Sequence, residues 1–197
     1  MNRLLRDLLL DVTQSSVSGT LDRAMTGLAY DSRRVTPGSL FVAIRGYHVD
    51  GHAYVAQAVA QGAAAVVVDA RYWQGELPAG VTLIVVPDSR VALAPLAAAW
   101  YGYPGRGLTV VGITGTKGKS TTTDLVSQLL DGVGMTSGLI STVDFKIGPR
   151  RWANSTRQST PEALEVQALL REMVAAGCTH AVVEATSHAL SARWNRL

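Results

Sequence analysis

Gly112-Ile113-Thr114-Gly115-Thr116-Lys117-Gly118-Lys119-Ser120 is the stretch on which the fold of this 197-residue chain turns. It fits the pattern G-x-x-x-x-G-K-[ST]. Glycines at the set positions let backbone N–H groups turn inward around phosphate oxygens with no Cβ in the way. The Lys119 ammonium is placed to reach the β- and γ-phosphates of a nucleotide, and the Ser120 hydroxyl to ligate Mg2+. Such a loop has meaning only between a strand and a helix. Residues 108–114 are an apolar run with strand character. Residues 119–131 read as a helix, with Leu125, Val126, Leu129, Leu130 and the following Val133 as its apolar stripe. The positive end of that helix dipole would face the same anion.

Downstream, 138–142 reads as a strand. Thr160 and Pro161 read as the N-cap and first position of a second helix, with Val166, Leu169, Leu170, Met173 and Val174 as its core face and Gly177 as its stop. Residues 181–184 form a strand ending in Glu184. This β-α-β-α-β order predicts a parallel sheet with right-handed crossovers. Glu184 and the glycine-rich loop then share the carboxyl edge of the sheet, where ligands bind, and an acid there is suited to hold the far side of a metal. The polar stretch 146–158, with Arg150-Arg151, reads as a solvated loop; attraction of an anionic substrate is the second reading.

Upstream, the run Gly102-Tyr103-Pro104-Gly105-Arg106-Gly107 is poor helix and poor strand, which predicts a linker over 103–107. It separates a domain over 1–102 from a domain over 108–197. In the first, 39–43, 63–68 and 81–86 read as strands. Residues 53–61 read as a helix with Val55, Ala58 and Val59 on one face and Gly62 after it. Asp88 or Ser89 would cap a helix running to Trp100, which Pro95 should kink or begin. Residues 1–11 read as a short amphipathic helix, interrupted by Arg6, Asp7 and Asp11, so not as a signal peptide. The fold class is therefore α/β: a small α/β domain followed by a phosphate-loop domain built on a parallel sheet.

Composition narrows the function. With 47% hydrophobic and 17% charged residues the chain can form a packed core rather than stay disordered. A net charge of +3 suits an anionic ligand and is too small to argue for nucleic acid or a membrane surface. No apolar run approaches the ~20 residues of a membrane span. The single cysteine, Cys178, excludes an intrachain disulfide and a cysteine-based zinc site; it points to the cytoplasm and reads as a small buried hydrophobe. His48 and His52 have the spacing of a metal pair on a helix, but Asp50-Gly51 between them favours a turn. Trp73, Trp100, Trp152 and Trp194 are scattered and read as packing or loop anchors.

Several blocks together resemble the Mur ligases. Asp31-Ser32-Arg33, the run 38–43, Asp50-Gly51-His52 and Gly62-Ala63-Ala64-Ala65-Val66-Val67-Val68 resemble their N-terminal domain. Thr114-Gly115-Thr116-Lys117-Gly118-Lys119-Ser120-Thr121-Thr122 resembles their ATP loop. Gly138-Leu139-Ile140, Ser159-Thr160-Pro161-Glu162 and Glu184-Ala185-Thr186-Ser187-His188-Ala189-Leu190 resemble blocks of the MurE-type branch, which adds the third peptide residue to UDP-N-acetylmuramoyl-L-alanyl-D-glutamate.

The resemblance implies an N-terminal domain for the UDP-sugar and a central ATP-binding domain, here truncated, with the C-terminal amino-acid-binding domain absent. It implies ATP-driven amide synthesis through an acyl phosphate, attacked by the amine of diaminopimelate or lysine, in a monomeric cytoplasmic enzyme of peptidoglycan synthesis. It places ATP on Gly115, Thr116, Lys117, Gly118, Lys119, Ser120 and Thr121, and Mg2+ on Ser120 and Glu184. Lys119 and Glu184 become the catalytic pair, and Ser32, Ser159, Thr160, Ser187 and Arg193 the substrate contacts. His188 becomes an organiser of its loop. Lys117 stands where the family often has asparagine. The usual arginine position is Trp194, so neighbouring Arg193 is named in its place. Two alternatives stand beside this reading. A folylpolyglutamate or cyanophycin synthetase type shares the central domain, but the Asp31 and Asp50 blocks argue against it. A non-catalytic nucleotide- or UDP-substrate-binding module is the other, and the chain alone is expected to show no ligase turnover.

Overall fold

Val66, Val67 and Val68 form a continuous apolar run, the composition of a strand covered on both faces, and all three are fully buried. Around such runs the chain divides into two compact units, Met1–Trp100 and Tyr101–Leu197. The structure is a computed structural model that describes residues 2–46, 49–155 and 160–186. Among these, no helix is long and apolar enough to cross a membrane.

The first unit contains β1 (Arg3–Leu4), α1 (Leu5–Leu8), β2 (Ser16–Ser18), β3 (Ala24–Met25), β4 (Gly27–Ala29), β5 (Ser39–Val42), α2 (Val55–Ala60), β6 (Ala65–Asp69), β7 (Thr82–Val86) and α3 (Ser89–Tyr101). Its main sheet has the order β2-β7-β6-β5-β4. Strands β4 to β7 run parallel, and β2 is an antiparallel edge on β7. Phe41, Val66 and Val68 pack with Val55 and Ala58 of α2 in its core.

Two expectations change here. The helix expected over 1–11 shrinks to α1, because the N–H groups of Leu5 and Arg6 donate to the carbonyls of Arg23 and Leu21 and Arg3 enters a two-stranded ladder with Met25. Pro95 neither starts nor ends α3, which runs through it. Asp88 caps that helix by accepting the N–H groups of Arg90 and Val91 at 3.0 and 3.1 Å, and burial of Leu93, Leu96 and Ala97 offsets the lost hydrogen bond.

The second unit opens with a 3-10 turn over Pro104–Gly107, so the glycine-rich run expected as a linker is folded. Then follow β8 (Thr109–Ile113), α4 (Lys119–Gly132), β9 (Ser137–Ile140), β10 (Asp144–Ile147), β11 (Arg150–Ala153), α5 (Ala163–Ala175) and β12 (His180–Glu184). The sheet order is β11-β10-β9-β12-β8. Strands β8, β12 and β9 are parallel, as expected, and β10 and β11 add an antiparallel hairpin.

That hairpin takes up residues 146–153 of the stretch expected as a solvated loop over 146–158, of which 156–158 lie outside the described residues. The polar residue that disguised it is Lys146, whose buried ammonium pairs with Asp131 and donates to Ser127 Oγ and Ser137 Oγ at 3.1 and 2.9 Å. Helix α5 buries Val166, Leu170 and Met173 on the expected face. It begins at Ala163 rather than at Pro161, with Glu162 at the N-cap, because the Thr160 hydroxyl is drawn to β12 instead of capping.

The stripe read on α4 is split: Val126 and Leu130 are half-buried, but its other three members face outward. Leu125, Leu129 and Val133 are 53, 70 and 71% exposed, whereas Thr123 and Ser127 are fully buried. Small polar residues serve this inner face because their hydroxyls are satisfied: Thr123 donates to the Lys119 carbonyl at 2.7 Å and Ser127 meets Ser137 at 2.8 Å. Leu129→Gln is therefore expected to shift unfolding stability by less than about 0.5 kcal/mol, measured by urea denaturation. A loss of several times that would show that Leu129 is packed.

Candidate functional site

Strand β8 delivers the chain to the glycine-rich loop at Ile113, and α4 leaves it at Lys119. Gly115 and Gly118 take φ of +146° and +76°, the region that a Cβ disfavours. Residues 114–118 are exposed, while Lys119 and Ser120 are half-buried at the start of the helix. The loop backbone and the α4 N-terminus thus lie open at one edge of the sheet, the arrangement that receives phosphate.

Glu184 ends β12, in register beside Ile113. It is 2% exposed. Its Oε2 accepts the Ser120 hydroxyl at 3.0 Å and the Thr142 N–H at 2.9 Å. The loop serine and the strand-end acid, 64 residues apart in sequence, are thereby in direct contact.

Thr160 reaches the same place differently. It is 1% exposed, and its hydroxyl donates to the Glu184 carbonyl at 3.2 Å while accepting the Thr186 N–H at 3.4 Å. In this geometry Thr160 ties the entry to α5 to the end of β12. Ser159, Ser187, His188, Arg193 and Trp194 lie outside the described residues.

In the first unit, Ser32 opens a 3-10 turn over Ser32–Arg34 and meets Gln57 Oε1 of α2 at 3.1 Å. Asp31 caps that turn and pairs with Arg33 at 2.8 Å, and the hydrogen bonds from Arg33 hold its carboxyl below the usual carboxylate range. His52 is committed on both ring nitrogens. Its Nδ1 lies 2.6 Å from Asp50 Oδ1, and its Nε2 accepts the Asp69 N–H at 3.0 Å. That fixes the neutral tautomer with hydrogen on Nδ1 and makes His52 a brace between the Asp50 turn and the end of β6; its suggested partner His48 lies outside the described residues.

Gly51 has a matching constraint, since a Cβ there would come within 2.6 Å of the Ile44 carbonyl oxygen. Sequence reading missed Gln57 and Thr142. Gln57 sits on the polar face of α2, and Thr142 acts through its backbone, which carries no residue-type signal.

Residues 24–101 match the Mur ligase family catalytic domain, and residues 113–197 match the Mur ligase middle domain. A UDP-N-acetylmuramyl-tripeptide synthetase from Roseiflexus sp. (strain RS-1) is 64% identical over 173 residues, covering 88% of this chain and 34% of that protein. The chain thus spans about a third of its relative's length.

A solved UDP-N-acetylmuramoyl-L-alanyl-D-glutamate--2,6-diaminopimelate ligase superposes over 98% of this chain and 38% of its own, with a TM-score of 0.75 at 24% identity. A solved MurF ligase from Thermotoga maritima, in complex with ADP, superposes over 81% of this chain and 32% of its own, with a TM-score of 0.54 at 23% identity. Both likenesses concern the fold. With its two halves matching the two successive domains, the chain belongs to the Mur ligase family.

Proposed function

We propose that this chain provides the nucleotide and UDP-sugar sites of a MurE-type ligase. The reaction joins an amino acid, diaminopimelate or lysine, to UDP-N-acetylmuramoyl-L-alanyl-D-glutamate at the expense of ATP. The observation that carries this reading is the contact of Ser120 with Glu184 beside an open glycine-rich loop. The 64% identity to a tripeptide synthetase supports the substrate class. Because the chain spans 34% of that relative, we assign to it the binding of nucleotide and UDP-sugar, and to the whole ligase the amide-forming step.

In this reading Gly115, Thr116, Lys117 and Gly118 wrap the phosphates with backbone N–H groups, and Thr121 stands in the first turn of α4 behind them. Lys119 holds the β- and γ-phosphates and stabilises charge as the terminal phosphoryl group moves to the substrate carboxylate. Ser32 lies on the UDP-sugar side. Thr160 shapes the peptide side by fixing the end of β12, with Ser159, Ser187 and Arg193 as the contacts proposed there.

Ser120 and Glu184 fit Mg2+ chemically. They pair a hydroxyl with a carboxylate, both hard oxygen donors, and Glu184 Oε1 receives no hydrogen bond from the described residues. No group of three His, Cys, Asp or Glu side chains exists among the described residues to cage a metal, which accords with the habit of Mg2+ of using one or two protein oxygens plus phosphates and water. When bound, Mg2+ neutralises phosphate charge.

Titration of the chain with ATP, in Mg2+ and in EDTA, tests the assignment. Glu184→Gln is expected to remove about tenfold of the affinity that Mg2+ adds and to leave binding in EDTA unchanged. Competition by UDP-N-acetylmuramoyl-L-alanyl-D-glutamate, and none by folate, is the matching expectation for the first unit. A parent chain that binds neither nucleotide nor UDP-sugar would refute the reading.

A further inference from the structure

The turn between β9 and β10 is built around a single outward-directed backbone donor. Ser141 is buried, and its hydroxyl closes the turn on itself. It accepts the N–H groups of Val143 and Asp144 at 3.2 and 3.0 Å and donates to the Asp144 carbonyl at 3.0 Å. Asn154, just past β11, donates Nδ2–H to the Ser141 carbonyl at 2.9 Å, and its own N–H donates to the Val143 carbonyl at 2.8 Å. Between these anchors the Thr142 N–H is delivered to Glu184 Oε2 at 2.9 Å, the oxygen that also accepts from Ser120.

The hairpin carrying this turn is strapped to the phosphate-loop helix. Arg151 pairs with Asp144 on β10 at 2.6 Å and with Asp124 on α4 at 2.7 Å, and Lys146 pairs with Asp131 near the other end of α4. A carboxylate held by two donors on one oxygen cannot rotate freely, and its second oxygen keeps its lone pairs for another partner.

We propose that Asn154 and Ser141 are positioning residues that hold the Thr142 N–H against Glu184 Oε2, so that Oε1 is kept available for a divalent cation. This rests on the reading of Glu184 as the metal-side acid. Outer partners of a metal-binding carboxylate typically change metal affinity by about 10–100-fold, and the present pair acts at one further remove, so the lower end applies.

Asn154→Asp is the discriminating variant, since it keeps the size of the side chain and exchanges the donor for an acceptor. ATP affinity is measured on the full chain in Mg2+ and in EDTA, together with hydrogen exchange at the Thr142 amide. The expected result is a loss of about tenfold in Mg2+, no change in EDTA, and faster exchange at Thr142. Ser141→Ala should move all readings in the same direction and decides the question if Asn154→Asp does not fold. Loss of affinity equal in Mg2+ and EDTA would show a merely structural role and overturn the proposal. So would parent-like Mg2+-ATP binding in these variants alongside a clear loss in Glu184→Gln. If Glu184→Gln itself binds Mg2+-ATP like the parent, the metal-side reading of Glu184 falls and this proposal with it.

Discussion

Lys119→Ala is expected to weaken ATP binding by about 10- to 100-fold, the equivalent of the ~1.5–3 kcal/mol of a charged hydrogen bond. The size follows from where the side chain stands. Lys119 is the first residue of α4, half-buried, directly after the left-handed Gly118. Among the described residues no carboxylate pairs with its ammonium, and the Thr123 hydroxyl donates to its backbone carbonyl rather than engaging the side chain. Its charge is thus available to an anion, next to backbone donors that favour one. The substitution breaks no native ion pair, so unfolding stability should change little while binding collapses. Calorimetric titration with ATP checks the first half and urea unfolding the second. Equal affinity in parent and variant would remove the phosphate-loop assignment.

Asp131→Ala is expected to destabilise the second unit by about 2 kcal/mol, below the ~3–5 kcal/mol of a broken, fully buried pair because the Asp131 side chain is 41% exposed. The cost arises from what is left behind. The Lys146 ammonium would remain buried between α4 and the hairpin with only Ser127 and Ser137 as partners. Adding Lys146→Met should recover most of the loss, since the uncompensated charge goes with it. Hydrogen exchange of the β9 and β10 amides reads this unit directly. A single variant as stable as the parent, or a double variant worse than the single, would contradict the account.

The same pair has a pH signature. Burial pushes the Asp131 carboxyl up, but hydrogen bonds from Lys146 and Ser137 and the Lys146 charge outweigh it and hold it below the ordinary carboxylate value. A carboxylate depressed in the folded state binds fewer protons there than in the unfolded chain. Its stabilisation is therefore present above about pH 4 and is lost as pH falls through the lower folded value. Unfolding midpoints of parent and Asp131→Ala should converge on acidification, and a gap that widens would have the wrong sign.

The parts of this protein legible in its sequence share one cause. Glycines at 115 and 118 are needed where φ is positive, so they announce the loop wherever the chain folds. Val66, Val67 and Val68 announce a strand covered on both faces, and Val166, Leu170 and Met173 announce the inner face of α5. In each case the local pattern and the final environment ask for the same residue type.

The misread parts share the opposite cause. Helix α4 presents Leu125 and Leu129 outward because its inner face is occupied by Thr123 and Ser127, whose hydroxyls find acceptors that no periodicity displays. Lys146 concealed a strand because its charge is cancelled by Asp131, fifteen residues earlier. Thr160 has the residue type of an N-cap but spends its hydroxyl on β12.

What the sequence determined by itself, then, is the alternation of strands and helices and the glycine-rich loop between β8 and α4, since both depend on local backbone geometry and on burial periodicity. What only the tertiary structure decided is which oxygen of Glu184 meets Ser120, which backbone N–H fixes it, and which helix face is inner. Those depend on the pairing of polar groups distant in the chain, and a pairing of that kind is settled by where the sheet brings the segments together.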